Sequence, residues 1–460
     1  MDAAKKKAKE EHVTGHAGTT PAECQLMLVV TMLSYALWKT IANRYPSLLV
    51  PSVASTAFDF LILAVPFLVA VSTPWLGETI AFLSFLTAVF AFVPRRPKGP
   101  ARKKQQLAET KATKPADRQH WPFLIAVRST LQVVTAGMIL MVDFQVFPRR
   151  YAKTETFGTS LMDLGVGMFI FTGGIVAGPR IQSSSMDRRS AFKNLNNSVR
   201  SCIPVLVLGV LRMVVTKSVN YQEHVTEYGA HWNFFLTLGL IPIFISAVQL
   251  IMPGINLAFL GGLVISVYTF VLEKMELQNY ILTAPRTGLV SMNREGICSF
   301  LGYLTIYLIA AAIGVRMNTH AQSGLQKQLP NMIGELSALA LAFYGITHVL
   351  TDVVEIPVSR RMANISYASW VLGACSAQVM GTALVDLLFG SHNVPILFKA
   401  VNRNQLAVFL LANVLTGVIN MSIDTLSVPD IAAVLIVGTY VLVVGAFAVI
   451  LDSMNITLKL

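Results

Sequence analysis

Charge is scarce in this sequence. Asp, Glu, Lys and Arg make up 13% of its 460 residues, against 54% hydrophobic, where a soluble domain carries about 25% charged residues. That shortage excludes an ordinary soluble fold, because the apolar runs are too long and too many to close around one core. Cysteine is scarce too. Cys24, Cys202, Cys298 and Cys375 lie in or beside apolar runs and form no CxxC pair, which argues against a disulfide framework and leaves them as small buried hydrophobes. No set of His, Cys, Asp and Glu has metal-ligand spacing, so no metal is expected. The GxSxG nucleophile elbow is missing. No basic patch is interleaved with aromatics, so the net charge of +12 does not point to nucleic acid. Basic loops between apolar spans account for it through orientation in a membrane. The first twenty residues hold no apolar h-region, so no cleaved signal peptide is expected. Internal repeats are also absent, which weighs against the symmetric halves of many transporters.

What is present is a series of apolar runs. They predict an all-α polytopic membrane protein of about thirteen transmembrane helices in one bundle, at 22–42, 56–72, 76–93, 121–142, 161–178, 201–217, 233–252, 254–273, 297–315, 334–352, 364–389, 405–424 and 430–451, since a crossing takes roughly 20 residues. Residues 1–21 form a polar tail, and 22–460 form one transmembrane domain with a basic loop at 94–120. Pro74 and Pro253–Gly254 mark tight turns between neighbouring spans, and Pro66, Pro204 and Pro242 mark kinks. An odd number of spans puts the termini on opposite sides. Loops on the C-terminal side hold twenty Lys and Arg, and those on the N-terminal side hold thirteen. That bias makes the C-terminus cytosolic, the loop 94–120 cytosolic and the N-terminus lumenal.

Four loops on the N-terminal side are not simply basic. They are DFQVFPRRYAKTETFGTSLMDLG (Asp143–Gly165), YQEHVTEYGAHWNFF (Tyr221–Phe235), NREGICSFLGY (Asn293–Tyr303) and PVSRRMAN (Pro357–Asn364). Together they mix acids, bases, amides and aromatics, the composition of a preorganised site. Helix capping and interfacial anchoring explain any one such loop. Four on one face favour a site. Arg128, Asp163 and Arg212 lie inside spans and must face the interior, water or a partner.

These segments, with FLLANVLTGVINMS (Phe409–Ser422), resemble the GPI inositol acyltransferase family, known in fungi as the GPI-anchored wall transfer proteins. The likeness runs in the same order from the fourth span to the twelfth, with a weaker match in VTGHAGTTPAE near the N-terminus. The loops 94–120 and 316–333 match nothing. The resemblance implies a multi-pass enzyme of the endoplasmic reticulum membrane that acts in GPI-anchor biosynthesis and is an antifungal target. It would move a palmitoyl group from acyl-CoA, its co-substrate, to the inositol 2-hydroxyl of glucosaminyl-phosphatidylinositol. No bound cofactor and no obligate protein partner are implied. A membrane transporter of a lipid or anionic solute is the alternative.

Acyl transfer from a thioester to an alcohol needs a base, an oxyanion stabiliser and a dry slot. Asp143, closing the fourth span, is the first candidate base. Lys153, returning to the same depth after the turn at Pro148, is its carbonyl partner, and a plain Asp–Lys surface pair is the alternative. His224 and His231 are the competing bases, His231 ahead, with helix capping or phosphate binding as the alternatives. Arg149–Arg150 and Arg360–Arg361 are candidate phosphate clamps. Glu227 suits the glucosamine ammonium or the orientation of a histidine. Asp163 is a candidate substrate-binding residue, with structural pairing to an arginine as the alternative, and Trp232, Asn233, Asn413 and Asn420 are candidate lining residues where head group meets acyl chain. The glycines at 158, 165, 167, 173, 174 and 178 suit close packing.

Overall fold

A computed structural model describes residues 9, 11–92, 121–184, 188–218, 225–322, 325–391 and 393–458. The basic stretch 94–120 therefore lies outside the described residues. Among those described, helices are the regular elements, joined by two isolated bridges between Gly18, Thr19 and Thr159. Twelve helical segments are long and apolar enough to cross a membrane, and Leu76–Phe92 is a shorter apolar helix. Together they match the thirteen expected spans.

In chain order the helices are α1 (Pro21–Ala42), α2 (Val53–Leu63), α3 (Val65–Ser72), α4 (Leu76–Phe92), α5 (Pro122–Met141), α6 (Leu161–Ser184), α7 (Arg188–Ser218) and α8 (Phe234–Ile251). They continue with α9 (Leu257–Lys274), α10 (Arg294–Gln322), α11 (Leu325–His348), α12 (Ile365–Phe389), α13 (Ile396–Arg403), α14 (Gln405–Ser422) and α15 (Asp430–Ser453). The second span is broken between α2 and α3 at Ala64, two residues before Pro66, where a proline denies the helix a donor. Gly254 turns the chain between α8 and α9 at φ 74°. Polar residues at loop ends start the helices: Thr20, Asn233, Asn256 and Asn364 each accept a backbone N–H from the first turn of the helix they precede.

Two apolar cores hold the bundle. One gathers α6, α10 and α12, and the other gathers α1, α3, α5, α13 and α15. α6 and α10 lie almost backbone to backbone: a Cβ on Gly178 would stand 2.1 Å from the Ala311 carbonyl oxygen, and one on Gly174 2.6 Å from that of Tyr307. Small residues four apart permit this approach in membrane helices. The packing role holds for Gly167, Gly174 and Gly178, whereas Gly165 faces open space.

At the other end of the bundle, Lys39 and Asp386 form a fully buried pair at 2.9 Å. Lys39 also donates to the carbonyls of Gly390 and Asn393 at 2.8 and 2.6 Å. Nearby, Asp59 accepts from Trp38 Nε1 at 2.6 Å and from the Leu397 backbone N–H at 3.0 Å, which caps the short helix α13. Of the other charges within spans, Arg128 donates to Gln405 and Asp163 is buried against Arg360. Arg212 instead lies exposed on α7, an outer helix that packs chiefly on α8. The four cysteines are unpaired.

Candidate functional site

The loop after α5 is organised around the chain's own carbonyls. Arg149 donates to the carbonyl oxygens of Phe147, Val142 and Phe144, each at 2.9 Å, and to that of His12 at 3.3 Å. Burial lowers its pKa to about 10, with the charge of Asp143 opposing. Arg150 pairs with Glu23 at 2.9 Å, and the Tyr151 hydroxyl donates to the same carboxylate at 2.7 Å. Burial, followed by the Glu23 contact, pushes the Tyr151 phenol up to about 12. Asp143 is buried, and its Oδ2 accepts the side-chain amide of Asn420 at 2.7 Å. The Oδ1 of Asn420 accepts from Lys9 Nζ at 2.9 Å. The polar tail thus packs onto α14. It is also stitched to the loop: Thr19 N–H donates to the Thr159 carbonyl at 2.6 Å and Glu155 N–H to that of His16 at 3.0 Å.

Lys153 turns the other way. Its ammonium contacts both oxygens of Glu227, at 2.8 and 2.9 Å. Glu227 also accepts from Arg360 Nη1 at 3.2 Å, while Arg360 Nε donates to Asp163 Oδ1 at 2.7 Å. Thr154 Oγ1 donates to the second oxygen of Asp163 at 2.8 Å. Two cations therefore face two carboxylates, and three of the four groups are largely or wholly buried. Burial alone works against the charged form of Arg360, but Glu227 and Asp163 outweigh it and raise its pKa. The neighbouring Arg361 reaches Glu295 at the start of α10, Nη2 to Oε1 at 3.0 Å. Glu295 also receives both terminal nitrogens of Arg286, at 3.0 and 2.5 Å.

Backbone bonds join the same four segments. Gly158 N–H donates to the Val358 carbonyl at 2.8 Å, and Ala230 N–H to that of Met292 at 2.9 Å. Ser359 Oγ donates to the Thr156 carbonyl at 2.6 Å. The structure thus brings the four polar loops into one connected assembly. Within it, His231 and Trp232 donate their backbone N–H groups to Asn293 Oδ1 at 2.7 and 3.0 Å, and the His231 ring lies 3.3 Å from the Asn293 amide. Trp232 Nε1 donates to Thr237 at 2.8 Å. Asn233 caps α8 and donates to the Gly209 carbonyl at 2.8 Å. Asn413 donates to the carbonyl of Phe409, one turn back, at 2.8 Å. His224 lies outside the described residues.

The residues that sequence reasoning passed over are Lys9, Arg286, Asn293, Arg294 and Glu295. Glu295 sits inside the quoted NREGICSF motif, and a charge at the first turn of an apolar span was its signal. A separate apolar cavity of about 400 Å³ lies between α9, α10 and α11. Its α10 lining begins at Ile309, about 22 Å along the axis from Arg294, so it does not adjoin this assembly.

The GWT1 family model matches residues 5–451. The chain belongs to the GWT1 family. It is 35% identical to GPI-anchored wall transfer protein 1 of Aspergillus oryzae over all of both chains. It is 36% identical to the protein of that name from Gibberella zeae over 99% of each. It is also 34% identical over both full lengths to the phosphatidylinositol-glycan biosynthesis class W protein of Dictyostelium discoideum. Membership of the GWT1 family supports a role in GPI-anchor biosynthesis for a multi-pass membrane protein.

Proposed function

We propose that this chain is an acyl-CoA-dependent GPI inositol O-acyltransferase of the endoplasmic reticulum membrane. It moves a palmitoyl group from palmitoyl-CoA to the inositol 2-hydroxyl of glucosaminyl-phosphatidylinositol. The N-terminus is lumenal and the C-terminus cytosolic. The observation that carries this reading is the joining of four polar loops, distant in sequence, into one hydrogen-bonded and ion-paired assembly. The family's place in GPI-anchor biosynthesis supports a GPI-precursor lipid as acceptor.

The inositol 2-hydroxyl attacks the thioester carbonyl directly. Asp143, held by Asn420, takes the hydroxyl proton as the C–O bond forms. Lys153, the more exposed partner of its ion pair at 40% against 15% for Glu227, swings to the carbonyl oxygen and stabilises the oxyanion. The intermediate then collapses, the C–S bond breaks, and Asp143 returns the proton to the departing CoA thiolate. His231 is the second candidate base. Glu227, itself bonded by Arg360, holds Lys153 between turnovers, and Trp232, Asn233, Asn413 and Asn420 line the approach.

The test is purified protein with labelled palmitoyl-CoA and glucosaminyl-phosphatidylinositol, comparing wild type with Asp143→Ala and Lys153→Ala. Inositol-acylated product from wild type, with both folded variants losing most turnover, supports the function and the residues together. Full activity in Asp143→Ala transfers the base role to His231. No product from folded wild type overturns the assignment.

A further inference from the structure

The four-charge group of Lys153, Glu227, Arg360 and Asp163 is balanced, but the group beside it is not. Glu295 is fully buried and faces Arg286, Arg294 and Arg361 at 2.5, 3.7 and 3.0 Å. Among the described residues, three guanidinium cations thus share one carboxylate. Arg294 and Arg361 are 5% and 8% exposed, and Arg286 is 26% exposed. Burying surplus like charge costs stability, and proteins keep such arrangements where a ligand completes them. A second observation points the same way. Nε of Arg361 is buried and has no hydrogen-bond partner among the described residues, although an orphaned donor in a buried charged group is expensive.

The other arginines near the site are committed. Arg149 serves four carbonyls, Arg150 pairs with Glu23, and Arg360 pairs with both Asp163 and Glu227. Arg294 Nε and Nη1 hold the carbonyls of Ile281 and Ser291 at 2.7 and 3.1 Å, which fixes its plane.

We infer that Glu295 preassembles Arg286, Arg294 and Arg361 into a binding site for the phosphodiester of an anionic inositol lipid. Planar guanidinium donors match phosphate oxygens, and the lipid phosphate supplies the missing negative charge and an acceptor for Arg361 Nε. This rests on the acyltransfer reading for its substrate. In that substrate the phosphate and the reacting 2-hydroxyl are on neighbouring inositol carbons, so the phosphate site belongs beside the reacting groups. Arg361 follows Arg360, which shares Glu227 with Lys153. Arg360 then positions Lys153, and the phosphate grip passes to its neighbour.

The experiment uses the full chain in detergent, as wild type, Arg361→Gln and Arg286→Gln. Initial rates are measured with the glucosaminyl-phosphatidylinositol varied and then with palmitoyl-CoA varied. Unfolding midpoints are read with and without dihexanoyl phosphatidylinositol. Both variants should raise KM for the lipid about tenfold or more and leave KM for palmitoyl-CoA and kcat within about threefold. Without lipid, Arg361→Gln should melt no lower than wild type, because it removes a surplus cation. Dihexanoyl phosphatidylinositol should raise the wild-type midpoint and not that of the variant. A wild-type KM for the lipid in both folded variants overturns the site. So does a midpoint drop in Arg361→Gln with KM unchanged, which makes the arginines structural. A rise confined to KM for palmitoyl-CoA assigns the arginines to the phosphates of CoA and overturns the lipid assignment. Arg361-dependent stabilisation by dihexanoyl phosphatidylinositol in a wild type that transfers no acyl group upholds the site and removes the reaction.

Discussion

Asn420 donates its side-chain amide to Asp143 at 2.7 Å across 277 positions of sequence. The bond fixes one carboxylate oxygen, and Lys9 fixes the far side of the same amide at 2.9 Å. A base held this way keeps its carboxylate in one orientation. Asn420→Ala should lower kcat about ten- to a hundredfold at saturating substrates, since a positioned general base contributes roughly 10²–10⁴. Asn420→Asp should be worse, because a second carboxylate would stand against Asp143. Initial rates with labelled palmitoyl-CoA decide this, and wild-type kcat in Asn420→Ala would remove Asp143 from the base role.

Arg360 is the charge that makes Asp163 tolerable. Asp163 is fully buried and meets Arg360 Nε at 2.7 Å. Arg360→Met should destabilise the protein by about 3–5 kcal/mol, the usual cost of stranding one partner of a buried pair. Adding Asp163→Leu should recover part of that loss, because Glu227 keeps Lys153 as partner at 2.8 Å. Unfolding midpoints of the two single variants and the double variant, read as a cycle, give the coupling. Additive losses would show that the two charges do not depend on each other.

The architecture was legible because apolar run length is a direct physical demand of the bilayer. The break near Pro66 and the turn at Pro253–Gly254 were legible because proline and glycine act locally. The gathering of four loops was legible from composition. Which charge meets which was not. Lys153 reaches Glu227, 74 positions away, and Asp143 reaches Asn420. Such pairings are set by how helices pack, which no local spacing records. The sequence marks the tail only as polar, yet Lys9 is 4% exposed. Its partner lies on a helix more than four hundred residues later. Glu295 carried a signal in its position at the edge of a span, but charges there ordinarily mark only the membrane surface.

Docking of the tail should depend on pH. Burial, followed by the nearby Arg149 guanidinium, lowers the pKa of His12 from 6.5, and His16 adds to this, while the Phe144 carbonyl works against it. The docked tail therefore binds protons less readily than the free tail. Docking is at full strength above about 6.5, the ordinary histidine value, and weakens as pH falls below it toward the lowered value. Hydrogen exchange over residues 11–19 should show less protection at pH 5.5 than at pH 7.5, and His12→Gln should flatten the difference. Equal protection of wild type at both pH values would assign the docking to contacts that do not depend on His12, such as the Thr19–Thr159 and Glu155–His16 backbone bonds.

The glycine seam between α6 and α10 links fold to site. A Cβ on Gly178 meets the Ala311 carbonyl oxygen at 2.1 Å, and one on Gly314 meets that of Ile175 at 2.1 Å. Both obstacles are backbone, so no side-chain rotation relieves them. α6 carries Asp163 in its first turn and α10 carries Glu295 in its own. Spreading the two helices would pull on both charge groups at once. Gly178→Ala should lower the unfolding midpoint and the yield of monodisperse protein on size-exclusion chromatography. Gly165→Ala lies on the same helix with nothing within 4 Å of its added carbon, and should behave as wild type. If Gly178→Ala melts like Gly165→Ala, the helices have room to part. The charge groups would then be held by their own loops rather than by the seam.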